Sequence, residues 1–224
     1  MASLYAPQMV IRSRMLYFCW VPEDKDAVRA LVPSDLQLSD NAQCFINQYA
    51  VDSEDDTSGF DPYSLTYAGL DVKGQDSPQG IPGRWWTHYI NSNPDMTEYA
   101  AERGVPAQAG GQTVLEIRSG VLTATTSQNG TPLIRTTASV GSGVAAIGRG
   151  QLSYLTKVNG QLIRGLYPFV ATMADGWQVT SMEFLDPSHP IYALRPASPL
   201  EVTWGFYSPD AAFCYPGGEG PASA

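Results

Sequence analysis

The sequence predicts an α+β domain that is predominantly antiparallel β, continuous over residues 1–224. Three observations carry that prediction. Short segments of alternating apolar and polar residues recur between turn signals along the whole chain. Two Asn-Gly dipeptides, Asn129-Gly130 and Asn159-Gly160, each join a pair of such segments, the strongest local signal for a β-hairpin. Only two stretches carry helix start and stop signals. A chain with 21 glycines and 17 prolines but only 16% charged residues suits many strands joined by turns. It is long enough to bury a substantial core, and such a pattern packs as a barrel or a pair of sheets.

In chain order, Met9 to Val21 reads as a long strand ended by Pro22. A short helix follows over Glu23 to Leu31, capped by Asp24, with Ala27, Val28 and Leu31 as its apolar stripe and Pro33 as its stop. Leu36 to Leu38 and Ala42 to Val51 return to strand, and Asp52 to Asp61 is an acidic loop. Tyr63 to Val72 is the next strand. The Gly/Pro/Ser-rich stretch 74–83 is of the length and composition of a lid or a disordered loop.

WWTHYI, residues 85–90, reads as a strand. Strict period 2 places Trp86, His88 and Ile90 on one face and Trp85, Thr87 and Tyr89 on the other. Asn93 then caps a helix beginning at Pro94 and stopped by Gly104. Gln112 to Arg118, Val121 to Ser127 and Pro132 to Val140 are strands. So are Tyr154 to Val158, Gln161 to Arg164, Trp177 to Leu185, Ile191 to Leu194, Glu201 to Tyr207 and Ala211 to Tyr215. The glycine-rich stretch 141–150 matches no phosphate-binding pattern and reads as a tight bend. Residues 217–224 read as a frayed tail.

The net charge of −9, with no run of basic residues, argues against nucleic acid or an anionic membrane as partner. The longest apolar run, Met15 to Val21, is too short to span a bilayer, and MASLYAPQMVIRSR lacks the plan of a signal peptide. Cys19, Cys44 and Cys214 form an odd set without CxxC spacing, which suits free thiols in a cytoplasmic protein. The two histidines, His88 and His189, have no metal-ligand spacing, so neither a metal nor a cofactor is expected. No GxSxG elbow is present.

Arg14 lies in an apolar strand and admits two readings: a sheet-edge residue that snorkels to water, or a pocket guanidinium that clamps an oxyanion. His88 is equally a satisfied core histidine or an acid/base poised near neutrality. Met96, Tyr99 and Ala100 form the inner stripe of the second helix.

RMLYFCWVPEDKDAVRALVPSDLQL resembles the N-terminal signature of acetoacetate decarboxylase-like proteins, NPDMTEYAAERGVPAQAGG their central helix and Gly-x-Pro turn, and SPLEVTWGFYSPDAAFCYPG their closing strands. The resemblance runs from about Arg12 to Tyr215. It implies a sheet curled into a cone-shaped barrel around a central cavity, a homo-oligomer, and an ancestral mechanism in which a lysine forms a Schiff base with a β-keto acid. Pro106 matches the motif proline, but Ala107 stands where the Schiff-base lysine belongs and Gln108 where its cationic neighbour belongs. Leu65 or Thr66 stands near the place of the family's cavity glutamate, while Arg14 matches its cavity arginine.

Without the amine, the expectation is a small-molecule enzyme of specialised, polyketide-like metabolism acting non-covalently as a cyclase, isomerase or (de)hydratase. Arg14 would hold a substrate oxygen, His88 would be the acid/base and Gln108 an orienting group. Trp85, Trp86, Tyr89, Tyr99, Leu65 and Ala107 would line the site, with the Trp86/His88 face inward. The alternatives are a decarboxylase or lyase acting on a β-keto acid and a non-catalytic binding protein.

Overall fold

Alternation along the chain builds two sheets, one large and curled, one small and covering part of its back. The computed structural model describes residues 7–222. The first half of the chain holds β1 (Gln8–Val10), β2 (Arg14–Trp20), α1 (Lys25–Arg29), β3 (Gln37–Leu38), β4 (Cys44–Val51), β5 (Tyr63–Lys73), β6 (Gly83–Asn91), α2 (Pro94–Ala101) and β7 (Ala107–Gln108). The second half holds β8 (Gly111–Arg118), β9 (Val121–Gln128), β10 (Thr131–Ser139), β11 (Val144–Val158), β12 (Gln161–Ala174), β13 (Gln178–Phe184), β14 (Val202–Ser208), β15 (Asp210–Tyr215) and β16 (Glu219–Pro221). No helix among the described residues is long and apolar enough to cross a membrane.

The twelve-stranded sheet runs β1-β15-β12-β11-β6-β5-β4-β2-β14, with β16, β3 and β7 on side branches from β12, β5 and β6. Its pairings are antiparallel except at β6, which takes β11 and β7 as parallel partners. The four-stranded sheet is antiparallel in the order β13-β10-β9-β8.

Side-chain parity divides the large sheet's residues between two cores. On β2, Met15, Tyr17 and Cys19 join an aromatic cluster on the concave side. Leu16, Phe18 and Trp20 face the convex side, where the small sheet, α1 and the turn at Pro190–Leu194 cover them. The curl is visible in ring contacts between strands that are not neighbours. Tyr49 of β4 meets Phe213 of β15 at 5.3 Å, and Tyr67 of β5 meets Tyr167 of β12 at 6.1 Å.

The edges of the large sheet approach each other. Phe206 stacks on Phe169 at 5.7 Å, and Ser13 and Ala211 exchange two hydrogen bonds of 2.9 Å. The strand ladder nevertheless stays open, because no strand pairing joins β14 to β1 or β15. The expected cone-shaped barrel is therefore a curled sheet with a seam.

Both Asn-Gly turns form as expected, with Asn129 and Asn159 at φ 50° and their glycines near 80°. Asn93 caps α2 by accepting from the Met96 N–H, and Gly104 sits at φ +72° just past the helix. Other expectations give way to non-local effects. Met9 to Val21 is two strands, since Ile11 to Ser13 leave the ladder at the seam. Ile191 to Leu194 is a 3-10 turn: Pro190 opens it, and His189 Nδ1 accepts the Ile191 N–H at 3.2 Å.

The glycine-rich stretch bends only over 141–143; from Val144 it continues as β11, because β12 supplies a partner for its whole length. The tail expected to fray from Gly217 instead forms β16 on β12. Residues 223–224, and the first six, on which part of the signal-peptide reading rests, lie outside the described residues.

Strand β6 departs most from its sequence pattern. Ala68 pairs with His88 and Gly69 with Trp86, so Thr87 is an extra residue, a β-bulge. A Cβ at Gly69 would lie 2.0 Å from the Trp85 carbonyl oxygen, so glycine permits the close approach. The bulge resets the alternation. Trp86 and Tyr89 now share the concave face, whereas Trp85, His88 and Ile90 face the other way. The expectation that Trp86 and His88 point together is overturned.

Candidate functional site

The concave side of the large sheet gathers chemistry-bearing groups among stacked rings. Trp86 lies between Tyr67 (4.6 Å) and Tyr154 (4.5 Å), and Tyr89 and Tyr215 extend the stack. Helix α2 adds Met96 and Tyr99 from its capped inner face. The rings are buried against one another and fill the interior through stacked and edge-to-face contacts.

Polar groups interrupt the aromatic surface. Arg84 and Asp71, register partners on β6 and β5, form an ion pair at 3.0 Å with both side chains 9% exposed. Asp71 is held from behind by the Gln43 amide at 2.6 Å. The guanidinium lies 5.5 Å from the ring centroids of both Tyr17 and Phe45. Burial opposes its charge, but Tyr17, Asp71 and Cys19 together raise its pKa, so it stays a cation. Burial pushes the neighbouring Cys19 thiol up to about 12, which keeps it neutral.

The hydroxyls of Tyr17, Tyr167 and Tyr215 and the Asn47 amide oxygen are buried without a well-aligned hydrogen-bond partner among the described residues, although the Cys19 thiol lies beside Tyr17 and the Tyr67 hydroxyl beside Tyr167. Asn47 donates its other amide end to Tyr67 Oη at 3.0 Å. Burial raises the pKa of all three phenols well above the ordinary tyrosine value, so each remains a proton donor. Unpaired buried donors are costly, so these hydroxyls are the polar groups of the interior with hydrogen-bonding capacity left over.

The residues singled out in the sequence divide between the two faces. Trp86, Tyr89, Tyr99 and Leu65 belong to the concave cluster, and Ala107, opposite Tyr89 on β7, packs against it. Thr66 faces away and bonds Thr113 and Thr126, whereas Leu65 looks inward. Trp85 packs on the convex side and donates to the Leu31 carbonyl. Gln108 follows Ala107 opposite Ile90, with its Oε1 buried and unpartnered.

Arg14 lies on the convex parity. It grips Asp52 through Nε and Nη2, both at 2.8 Å, and donates Nη1 to the Leu115 carbonyl of the small sheet. The hydrogen bond to Asp52 raises the Arg14 pKa and lowers that of Asp52.

His88 is buried on the convex side, 5.9 Å from the His189 ring, with Nδ1 at 3.0 Å from Thr87 Oγ1. Burial first, then His189, lowers its pKa to about 3. Arg14 and His88 are not brought together. Counting registers across β4 and β5, they stand roughly 13 Å apart along the strands and roughly 14 Å across them.

None of the three lysines enters the concave cluster. Lys25 bonds the Asp40 carbonyl, Lys73 pairs with the Asp40 carboxylate, and Lys157 pairs with Asp35 at 2.7 Å, all at the surface.

The chain superimposes on acetoacetate decarboxylase with a TM-score of 0.68 at 16% identity, covering 94% of this chain and 87% of that one. The fold is that of acetoacetate decarboxylase. The Legionella pneumophila acetoacetate decarboxylase agrees (TM-score 0.69, 13% identity, 100% and 92% covered). So does the enduracididine biosynthesis enzyme MppR complexed with pyruvate (TM-score 0.64, 14% identity, 99% and 92% covered). No family model matches the sequence, and no curated protein matches it.

Ala107, which follows the Gly104-Val105-Pro106 turn, packs against the concave cluster. Sequence reasoning missed Arg84, Asp71, Tyr17 and Tyr167. A signal was available in inward parity, since plain alternation along β5 puts Asp71 on the side of Leu65 and Tyr67.

Proposed function

We propose that this protein is an enzyme that converts a small carbonyl-bearing, polyketide-like substrate on the concave aromatic face without a covalent intermediate, by cyclisation, isomerisation or (de)hydration. The observation that carries this reading is the inventory of that face: a buried guanidinium and unpartnered phenol O–H groups, but no lysine amine. In this reading Arg84 takes the oxyanion role expected of Arg14. Tyr17 and Tyr167 donate to a carbonyl or enolate oxygen, and Trp86, Tyr89, Tyr99, Leu65 and Ala107 shape the wall. Arg14, His88 and Gln108 serve the framework behind it.

Orientation of one reactive conformer supplies up to ~7–11 kcal/mol of barrier reduction. Preorganised donors aimed at developing negative charge supply about 3 kcal/mol each. Because the rings meet across the interior, a substrate enters as they part, so binding perturbs the near-ultraviolet circular dichroism of Trp86 and its stacked tyrosines.

The test is replacement of the native coding sequence by Tyr17→Phe and Tyr167→Phe variants, followed by metabolite profiling of the host. The reading expects loss of one product and accumulation of an isomer, or of a species differing by water. Unchanged profiles from folded variants would remove these hydroxyls from the mechanism. A profile differing by carbon dioxide would favour the decarboxylase alternative, and bound ligand without any chemical change would favour a binding protein.

We further infer a cytoplasmic homo-oligomer. Three free cysteines suit a reducing compartment. The outward face of β1, β15, β12 and β11 leaves Met9, Ile11, Val170 and Ile147 between 45% and 67% exposed. By strand parity Arg149 of β11 and Asp210 of β15 lie on that same face.

A further inference from the structure

Strand register lines up one row of residues across the concave face. Asp71 of β5 stands opposite Arg84 of β6, and Arg84 opposite Tyr154 of β11. Tyr154 in turn stands opposite Gly165 of β12, and Gly165 opposite Glu219 of β16. Register partners share a face and lie about 5 Å apart, so the buried ion pair begins a row that continues to β16. Gly165 makes the row continuous. A Cβ at that position would sit 1.9 Å from Tyr154 Cζ and 2.2 Å from its Oη, so only a glycine lets the Tyr154 ring lie across β12. The phenol thereby reaches past β12 and donates to Glu219 Oε1 at 2.7 Å.

The two ends of this hydrogen bond have different surroundings. Tyr154 is 1% exposed and stacks on Trp86 at 4.5 Å, with the Tyr215 ring at 5.6 Å. The Glu219 side chain is 25% exposed and lines a surface pocket of about 450 Å³ beside Pro168 and the turn at Pro216–Gly218. Arg103, just past α2, braces the carboxylate from the other side, with Nε 3.6 Å from Oε2. Its guanidinium is itself fixed, 3.6 Å above the Tyr99 ring and donating to the Tyr99 carbonyl at 2.8 Å. Burial first, then the Glu219 charge, raises the Tyr154 pKa, so the phenol holds its proton at neutral pH. Asp71, the other carboxylate of the row, is committed to Arg84 and the Gln43 amide.

We propose that Tyr154 and Glu219 form a proton relay between the concave face and solvent, with Tyr154 the base toward a C–H next to the substrate's carbonyl. The inference rests on the concave face being the reaction site, and it supplies the proton acceptor missing there since His88 faces the other way. In the step, the C–H bond breaks and its proton passes to Tyr154 Oη while the phenol's own proton passes to Glu219 Oε1. The C–H electron pair becomes an enolate, whose oxygen is held by Arg84, the next member of the row. Two bonds to hydrogen break and two form, with no change of oxidation state. Negative charge moves from Glu219 to the enolate beside a guanidinium, so no new charge is created in the interior. Running the relay backward at a different carbon completes an isomerisation; otherwise Glu219 returns its proton to water through the surface pocket.

The test supplies the purified full chain with an extract of host cells lacking its gene and follows product formation by mass spectrometry. Tyr154→Phe, which keeps the stacked ring, and Glu219→Ala should each slow turnover by about 100-fold or more. Sodium formate should restore turnover saturably in Glu219→Ala, because the emptied carboxylate position opens on the surface pocket. Formate should not help Tyr154→Phe, nor Glu219→Gln, which fills the position without a proton acceptor. The relay is overturned if folded Tyr154→Phe or Glu219→Ala matches the unaltered protein while Tyr17→Phe is impaired, a result that would leave the reaction site standing. It is also overturned if Glu219→Ala is slow and formate restores nothing, which would make Glu219 a brace for β16. An extract left unchanged by the unaltered protein would remove the proposed reaction itself, and the relay with it.

Discussion

His88 refuses a proton in the folded chain because it is buried and faces His189. Its folded pKa lies near 3, below the ordinary histidine value of about 6.5. A group depressed in this way stabilises the fold above its unfolded pKa and loses that contribution as pH falls toward the folded one. His189 is shifted in the same direction by burial. Urea denaturation should therefore show stability falling by about 1–2 kcal/mol between pH 6.5 and 5, before carboxylates titrate. His88→Gln should flatten that slope; an unchanged slope would contradict the burial of a neutral imidazole. The Arg84–Asp71 pair makes a second residue-scale prediction. Asp71→Ala strands a buried guanidinium and should cost about 3–5 kcal/mol, while Arg84→Met with Asp71→Leu should cost far less. Paired denaturation curves decide, and additive losses would show that the two side chains do not depend on each other.

Element scale separates what the sequence displays from what it hides. The Asn-Gly hairpins and the α2 cap were legible because each is decided within four residues, by positive φ or by a side chain reaching the next turn. Asn93→Ala should accordingly lower stability by ~1 kcal/mol, read from the thermal midpoint, with α2 the first element to lose amide protection. The Thr87 bulge was not legible: it exists only because β5 offers Ala68 and Gly69 to three residues of β6. That single insertion carried His88 from the expected interior to the convex side and left Trp86 with Tyr89. Strand β16 and the first half of β11 escaped notice for a related reason, since each is held in the ladder by β12 from elsewhere in the chain. Aromatic and motif patterns singled out Trp86, Tyr89, Tyr99, Leu65 and Ala107, which the structure gathers on the concave side. Arg84 and Asp71 needed the register to meet.

At the scale of the whole molecule, a curled sheet with a seam presents two opposite faces with different uses. The concave face concentrates rings and donors, and the convex face spends its apolar residues on the small sheet and α1. The outward side of β1, β15, β12 and β11 has no covering layer among the described residues. Light scattering should therefore report a species larger than the 24.2 kDa chain. Ile147→Asp combined with Val170→Asp should shift it toward the monomer with the circular dichroism spectrum retained. A monomeric unaltered protein would show that this face stays bare.

The central claim is that the acetoacetate decarboxylase fold here presents its concave face without an amine nucleophile. Sodium borohydride reduction in the presence of acetoacetate, followed by intact-protein mass spectrometry, tests it most directly. The account predicts an unchanged mass, because Lys25, Lys73 and Lys157 are held at the surface by Asp40 and Asp35. A stoichiometric adduct mapping to any of these lysines would contradict it.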